Sequence, residues 1–200
     1  MNIGLTGGIA TGKSTVSAMF VEKGAQLIDA DQVAREVVRP GHPVLERVVE
    51  RFGQAILHSD GTLNRAKLGE LVFNRPEERK ALEEIMHPAI RKMMLERMEA
   101  LESEYPGRLV VVDVPLLYES RIESYFEQVV VVYASEDVQL ERMIKNRGMT
   151  REAAVKRLQA QLPIEVKKNK ADVVIDNNGD LEATAEQVDQ FLQEKGLLKA

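Results

Sequence analysis

Residues 7–14 read Gly-Gly-Ile-Ala-Thr-Gly-Lys-Ser and match the phosphate-binding pattern G-x-x-x-x-G-K-[ST] at every defined position. A short apolar run, residues 3–6, precedes this stretch, and an amphipathic pattern, residues 13–23, follows it. A glycine turn with a chance Lys-Ser pair does not require this order, whereas a strand–loop–helix phosphate site does. The stretch therefore predicts a nucleotide phosphate site at the start of an α/β fold.

Each residue type in this loop has a physical task. Glycines let backbone N–H groups approach phosphate oxygens, and the N-terminus of the next helix adds a positive partial charge. Lys13 is expected to bridge the β- and γ-phosphates of ATP, and the Ser14 hydroxyl to ligate Mg²⁺. The predicted ATP-binding residues of the loop are Gly8, Ile9, Ala10, Thr11, Gly12, Lys13, Ser14 and Thr15.

Five short apolar runs predict the strands of a sheet, because near-continuous Val and Ile runs suit strands that are buried on both faces. They cover residues 3–6, 26–29, 109–114, 128–133 and 172–176. Helical patterns lie between them, which predicts a doubly wound α/β fold. Ser135 and Asp180 are expected to cap the helices after the last two strands, and Gly24 to be the left-handed residue after the first helix.

Two stretches depart from the simple alternation of strands and helices. Residues 32–106 are too long for one crossover and predict a helical insert, in which Pro88 should kink or break the last helix. Residues 142–170 are also helical and contain nine Lys or Arg residues against two acids. The predicted organisation is a nucleotide-binding core of residues 1–31, 107–141 and 171–200, an acceptor-binding insert of residues 32–106 and a basic lid of residues 142–170.

Composition narrows the class of protein. The 200 residues contain no Cys and three scattered His, so disulfides and thiolate metal sites are excluded. The formal net charge of −5 gives no reason to expect a nucleic-acid partner, and no apolar run is long enough to cross a membrane. We expect a cytoplasmic protein with small-molecule partners; a monomer is the expected state, although the sequence leaves the oligomeric state open.

Two carboxylates lie at the carboxyl ends of predicted strands, the edge where open α/β sheets bind ligands. Asp31 is the candidate general base that accepts the proton of an acceptor hydroxyl, with a helix N-cap as the alternative role. Asp113 is a candidate Mg²⁺ ligand, with a polar strand end as the alternative.

The basic lid contains two candidate catalytic residues. Arg142 and Arg147 come just after the fourth predicted strand, where a closing lid would neutralise charge on the transferring phosphoryl group and exclude water. Lys167, Lys168 and Lys170 are equally compatible with a solvated basic face.

One further motif match is a coincidence of sequence. Residues 169–172 read Asn-Lys-Ala-Asp, the base-recognition pattern of GTPases. In that class the pattern follows an apolar strand, whereas here it follows a Lys-rich helical stretch and precedes a strand. We therefore assign it no role.

Several separated segments resemble the dephospho-CoA kinase family, and they follow one another in order along nearly the whole chain. They are residues 5–9 and 12–15, Ile28-Asp29-Ala30-Asp31, Asp60-Gly61-Thr62-Leu63, His87-Pro88, Pro115-Leu116-Leu117-Tyr118-Glu119, Arg157 with Gln161, and residues 171–179. The phosphate loop alone is shared by many ATPases, whereas the combination is specific.

The resemblance implies transfer of the ATP γ-phosphoryl group to the ribose 3′-hydroxyl of dephospho-CoA, with ATP as co-substrate and Mg²⁺ as cofactor. It implies a five-stranded parallel core, a helical CoA-binding insert and a mobile lid. It gives Asp31 the role of general base and Arg142 that of steadying the transferring phosphate. Residues 177–179 predict a tight turn, and its position after the last strand can also bring Asn178 against the adenine of ATP. The substrate-binding residues that it implies are Asp31, Arg35, His87, Leu116, Glu119, Arg157 and Gln161.

Two other classes stay open at this point. A nucleoside monophosphate kinase would need arginines for the acceptor's own phosphate, and Arg35 or Arg39 could serve it. A nucleotide-gated binding module would use ATP as a switch, but it would leave Asp31 and the basic lid unexplained.

Overall fold

The computed structural model describes residues 1–73 and 75–197. These residues form two compact units: a phosphate-loop unit of residues 1–28 with 100–197 and a helical unit of residues 29–99. The strands are β1 (Asn2–Gly7), β2 (Gln26–Asp29), β3 (Val110–Asp113), β4 (Gln128–Tyr133) and β5 (Val173–Asp176). The helices are α1 (Lys13–Glu22), α2 (Ala30–Glu36), α3 (Pro43–Phe52), α4 (Arg65–Phe73), α5 (Pro76–Glu104), α6 (Glu136–Arg147), α7 (Arg151–Gln159), α8 (Ile164–Lys170) and α9 (Leu181–Glu194).

The five strands form one parallel sheet in the order β2-β3-β1-β4-β5, which confirms the predicted α/β fold. β1 lies between β3 and β4, with Leu5 opposite Asp113 and Gly7 opposite Val132. From β1 the chain crosses to β2 on one side of the sheet, returns to β3 and then continues to β4 on the other side of β1. The loops after β1 and β3 therefore lie next to each other at the carboxyl edge of the sheet.

The three central strands, β1, β3 and β4, are buried on both faces, as their apolar runs require. Ile3 and Leu5 of β1 are fully buried, and Val16 and Phe20 of α1 pack with Val188 and Phe191 of α9 in the same core. Burying each such side chain contributes roughly 1.5–3 kcal/mol. β1 and α1 are therefore fixed at both ends of the loop that joins them.

The second unit has its own apolar core, which α3, α4 and α5 build. Val37, Val48, Ile56 and Leu68 are buried there, with residues of α5 packed against them. α5 runs through Pro88 as one helix, so of the two predicted outcomes, a kink or a break, the break is wrong. Packing of the helix on both sides of Pro88 outweighs the loss of one backbone hydrogen bond, since most helical stability comes from tertiary contacts.

Other local predictions are confirmed. Ser135 and Asp180 accept hydrogen bonds from Val138 N–H and Ala183 N–H as N-caps, and Gly24 has a φ of 92° after α1. Within the described ranges, no helix is both long and apolar enough to cross a lipid bilayer.

Candidate active site

The phosphate-binding loop joins β1 to α1 in a tight turn. Thr11 donates to the Gly8 carbonyl from its backbone N–H at 3.3 Å and from its hydroxyl at 2.9 Å. Gly12 occupies the N-cap of α1 in the left-handed region (φ 89°), and the side chains of Ser14 and Thr15 are exposed in the first helical turn. The first N–H groups of α1 have no carbonyl four residues earlier within the helix, so this turn is a ready anion site.

The glycines of the loop are required by close packing. A Cβ at Gly12 would collide with the Asn177 amide nitrogen, and one at Gly8 would lie 2.6 Å from the Gln139 side-chain oxygen. Ala10 also has a positive φ, 59°, which strains a residue that has a Cβ. The loop is therefore held in a conformation that its neighbours, and not only its own sequence, determine.

Lys13 and Asp113 form an ion pair at the carboxyl edge of the sheet. The Lys13 ammonium donates to the Asp113 carboxylate, and the two side chains are 15% and 14% exposed. β3 positions the carboxylate, because its last residue lies beside β1 at the start of the loop. Asp113 is thus more than a polar strand end, since it orients the lysine of the phosphate site.

Arg142 of α6 contacts the opposite side of the loop. Its guanidinium donates to the carbonyl oxygens of Ala10 and Thr11, each at 3.3 Å, and to that of Asn177 at 2.7 Å. A planar guanidinium can satisfy several carbonyls at once. It therefore stabilises the strained turn at Ala10.

Asn177 is a site residue that the sequence analysis missed. Its side-chain amide is buried, donates to the Thr11 carbonyl at 2.7 Å and accepts from the Thr184 hydroxyl at 2.8 Å. The adjacent predicted residue, Asn178, contacts the backbone N–H of Ser135 at 2.8 Å and the Asp176 carboxylate at 2.8 Å. The signal that could have identified Asn177 was its position directly after β5, at the carboxyl edge of the sheet.

The residues that follow α7 approach the loop from another direction. The Gln161 side-chain oxygen accepts from the backbone N–H of Ile9 at 3.0 Å. A cavity of about 280 Å³ opens beside this contact. It is lined by Gly8, Glu136, Gln139, Leu158, Gln159, Gln161, Leu162, Pro163 and Ile164.

Glu119 and Leu116 lie on the segment that follows β3. Glu119 pairs with Lys167 at 2.8 Å and accepts from the backbone N–H of Leu162 at 3.0 Å, while Leu116 is exposed. Arg147 and Arg157 are exposed on α6 and α7. The structure thus brings Gln161 into contact with the phosphate loop and Glu119 into contact with Lys167, and it leaves the two arginines directed to solvent.

Lys167 is completely buried, so a solvated basic face is wrong for this residue. Lys168 and Lys170 of the same helix lie over the rings of Tyr133 and Tyr118.

The Tyr133 hydroxyl donates to Glu165 at 2.5 Å, and this hydrogen bond, with burial, raises the pKa of Tyr133 to about 12. Tyr133 therefore stays a protonated donor at neutral pH.

Asp31, Arg35 and His87 belong to the helical unit. Asp29, not Asp31, is the N-cap of α2: its carboxylate accepts from the backbone N–H groups of Asp31 and Gln32 at 2.8 and 3.1 Å. The alternative role of Asp31 as the helix cap is therefore wrong. Asp31 is exposed in the first turn of α2, Arg35 is exposed in its last turn, and His87 is half-buried within α5.

The Mg²⁺ ion that the loop implies can be tested against the residues present. The described residues contain no cluster of three or more His, Asp or Glu side chains suited to a metal ion. Mg²⁺ is commonly held by one or two protein oxygens together with waters and substrate phosphates, so no such cluster is required. The exposed Ser14 hydroxyl, one residue from the Lys13–Asp113 pair, fits that mode of binding.

The strand, the loop with its lysine and the parallel sheet together define a P-loop kinase fold. The family model described as dephospho-CoA kinase matches residues 1–183. The chain belongs to the dephospho-CoA kinase family. The predicted class of enzyme, a kinase with a hydroxyl acceptor, and the predicted dephospho-CoA kinase activity are both confirmed.

Individual proteins that are similar to the chain are named dephospho-CoA kinases. The chain is 49% identical over 194 residues to the dephospho-CoA kinase of Geobacillus kaustophilus, covering 97% of this chain and 96% of that one. It is 46% identical over 193 residues to the dephospho-CoA kinase of Enterococcus faecalis, with 96% of each chain covered. The solved structure of dephospho-CoA kinase from Campylobacter jejuni superposes with a TM-score of 0.75 at 32% identity and 98% coverage of both chains.

Proposed function

We propose that this chain transfers the γ-phosphoryl group of ATP to the ribose 3′-hydroxyl of dephospho-CoA, giving CoA and ADP. The observation that carries this proposal is the loop from Gly7 to Ser14, with Lys13 paired to Asp113 at its end. Phosphoryl transfer depends almost entirely on positioning and electrostatic stabilisation. A rigid loop that presents backbone N–H groups and a lysine supplies both.

Lys13 and the loop backbone hold the phosphates in this scheme. The Lys13 ammonium contacts the β- and γ-phosphates, and the positive N-terminal end of α1 interacts favourably with the negative charge of the polyphosphate. Asp113 keeps Lys13 oriented before nucleotide arrives, since the two already form an ion pair. The orientation of the lysine therefore need not be established during the reaction.

Ser14 and Asp113 are the proposed Mg²⁺-binding side chains. Bound Mg²⁺ would neutralise charge on the β- and γ-phosphoryl oxygens. Support comes from the exposed Ser14 hydroxyl in the first turn of α1 and the Asp113 carboxylate at the end of β3. Both are hard oxygen ligands of the kind that Mg²⁺ prefers.

Arg142 is the proposed lid arginine. It already contacts the carbonyl oxygens of Ala10 and Thr11, so a short movement of its guanidinium would direct it at a phosphoryl oxygen. Arg147, exposed at the end of α6, is proposed to assist in a secondary role. Closure of residues 142–170 as a lid would exclude water from the transferring group.

Asp31 is the proposed general base. The family resemblance assigns this role, and the cap formed by Asp29 supports it, because it leaves the exposed Asp31 carboxylate without a capping task. A positioned carboxylate aims the acceptor hydroxyl and takes its proton late in a loose transition state. The further residues proposed to bind dephospho-CoA are Arg35, His87, Leu116, Glu119, Arg157 and Gln161, with Asn178 proposed at the adenine of ATP.

The proposed setting follows from composition. We propose a monomeric cytoplasmic enzyme whose partners are ATP and dephospho-CoA, without a nucleic-acid or membrane partner. The acidic net charge of −5 supports small-molecule substrates over nucleic acid.

An acceptor panel tests the reaction. With ATP and Mg²⁺, kcat/KM should be at least about 10²-fold higher for dephospho-CoA than for AMP, UMP or adenosine, because binding of the pantetheine arm contributes to positioning. CoA is the matched control, since its 3′-position already carries a phosphate and cannot accept another. Comparable kcat/KM for AMP would instead assign the chain to the nucleoside monophosphate kinases.

A further inference from the structure

Lys167 is a fully buried cation on the short helix α8. Its side chain has no solvent exposure, whereas Lys170, one turn later, is exposed. Ile164 and Lys167 are three residues apart and therefore lie on the same face of α8, which packs inward. A buried ammonium is strongly unfavourable unless it is paired and hydrogen-bonded, so its partners determine why it is there.

The ammonium of Lys167 has three hydrogen-bond donors and three acceptors around it. It donates to the Gly7 carbonyl at 3.2 Å, to the Pro115 carbonyl at 3.2 Å and to the Glu119 carboxylate at 2.8 Å. Three donors are the full capacity of a lysine. The side chain is thus completely satisfied and cannot contact a substrate directly without losing one of these bonds.

The three acceptors lie where two strands deliver their loops. Gly7 is the last residue of β1 and the first of the phosphate-binding loop, and its carbonyl belongs to the peptide that leads into Gly8. Pro115 follows β3, and its carbonyl also accepts from the Thr6 hydroxyl at 3.2 Å. Glu119 also accepts from the backbone N–H of Leu162. Lys167 therefore links the start of the phosphate loop, the segment after β3 and the residues before α8.

We propose that Lys167 is a positioning residue for the phosphate-binding loop. Its bond to the Gly7 carbonyl fixes the plane of the Gly7–Gly8 peptide, because the peptide unit is planar. The N–H of Gly8 and the turn that begins there then have one orientation relative to β1. The same ammonium holds the segment 115–119 beside the loop, so a change in one is transmitted to the other.

Lys167 complements Arg142 in this arrangement. Arg142 bonds to the carbonyls of Ala10 and Thr11 in the middle of the loop, while Lys167 bonds to the carbonyl at its start. Two cations, from the helices before and after α7, thus fix the backbone of the phosphate-binding loop through its carbonyl oxygens. Their positive charges also favour the bound polyphosphate at close range.

Steady-state kinetics and nucleotide binding of Lys167→Met test the proposal. This role presupposes the kinase reaction proposed above, and loop misplacement should lower kcat/KM for ATP by about 10²-fold in protein that remains folded at the assay temperature. The dissociation constant for ADP, measured by titration calorimetry, should rise by about threefold or more, because the same loop binds its phosphates. Lys170→Met is the matched control on the same helix and should change neither quantity.

Two further variants separate positioning from stability. Lys167→Gln keeps two N–H donors without the charge and should lie between wild type and Lys167→Met in kcat/KM. Glu119→Gln should lower the melting temperature, because the buried ammonium loses its counter-charge, but it should change ADP affinity less than Lys167→Met does, since both carbonyl bonds remain. In ADP affinity the double variant Lys167→Met/Glu119→Gln should be no worse than Lys167→Met, because residues of one contact group are not additive.

The opposite results would overturn the proposal. If Lys167→Met lowers only the melting temperature, while kcat/KM and ADP affinity per folded molecule equal those of Lys170→Met, Lys167 has a purely structural role. If Lys167→Met does not fold, the comparison of Lys167→Gln with Lys170→Gln distinguishes a positioning role from a purely structural role in the same way. The ADP titration needs no acceptor. Failure of the wild-type protein to phosphorylate dephospho-CoA would therefore count against the proposed reaction, while the effect of Lys167→Met on ADP affinity would still test the role of Lys167.

Discussion

The two compact units hold their candidate charged groups in different ways. In the phosphate-loop unit, Lys13, Arg142 and Lys167 each bond to fixed partners within the protein. In the helical unit, Asp31 and Arg35 are exposed on α2, and the cap of that helix is formed by a different residue, Asp29.

This difference corresponds to two chemical tasks. The phosphate site must hold a dense negative charge in one geometry, so its cations already have bonding partners within the protein before nucleotide binds. The general base must meet a hydroxyl that arrives with its substrate, so an exposed carboxylate is suitable. Substitutions of bonded groups should therefore change activity and, for the buried ones, stability; substitutions of exposed groups should change activity alone.

Lys13→Ala should give the largest effect. Loss of the charge at the β- and γ-phosphates should lower kcat by about 10³–10⁵-fold, the span of a charged group that stabilises transferring phosphate. The fold should survive, because Lys13 lies at the first helical position and not in the apolar core. Coupled ADP-release kinetics and circular dichroism measure the two outcomes. Wild-type turnover in the variant would show that the loop is not the catalytic phosphate site.

Asp31→Asn should give the second-largest loss of turnover and should leave the free energy of unfolding unchanged. Turnover should fall by roughly 10²–10⁴-fold, the usual contribution of a positioned acid–base group, while ATP affinity stays within about twofold.

Asp29→Ala is the matched control, two residues away in the same turn. It removes the bonds to the N–H groups of Asp31 and Gln32, which should cost about 1 kcal/mol of folding free energy. Chemical denaturation and turnover separate the two variants. If Asp31→Asn retains nearly full activity, the base must be sought elsewhere.

Much of the fold followed from local sequence. The β-branched run at 128–133 coincides with β4, because a strand buried on both faces has few other sequence patterns. The run at 26–29 coincides with β2, although this edge strand is only partly buried. The loop at residues 7–14 was equally readable, since its chemistry is local. Pro88 does not end α5, because its local penalty is smaller than the packing of α5 on both sides.

Contacts between distant segments could not be predicted in the same way. Asn177 reaches Thr11 across 166 residues, and Lys167 reaches Gly7 across 160. Lys167 stands in a Lys-rich run in which a buried and a solvated lysine look alike. Its spacing from Ile164 was a weak signal, because three-residue spacing also occurs on exposed faces.

The comparison of Arg142→Ala with Arg147→Ala gives the smallest and most discriminating effect. Arg142 bonds to three backbone carbonyls, whereas Arg147 is exposed five residues later on the same helix. If contact with the loop determines the catalytic contribution, Arg142→Ala should lower kcat by about 10–10²-fold and Arg147→Ala by less than about threefold. Because the contact with a transferring phosphoryl group strengthens as the transition state forms, kcat should fall more than ATP affinity.

A second measurement on the same pair decides how the lid works. Arg142→Ala should also lower the melting temperature slightly, since the strained Ala10 turn loses a donor, whereas Arg147→Ala should not. An equal loss of kcat in both variants would mean that the exposed Arg147 reaches the phosphates when nucleotide binds. Exposure in the free protein would then be a poor guide to function in the lid, and the contrast between bonded and exposed groups would hold only outside residues 142–170.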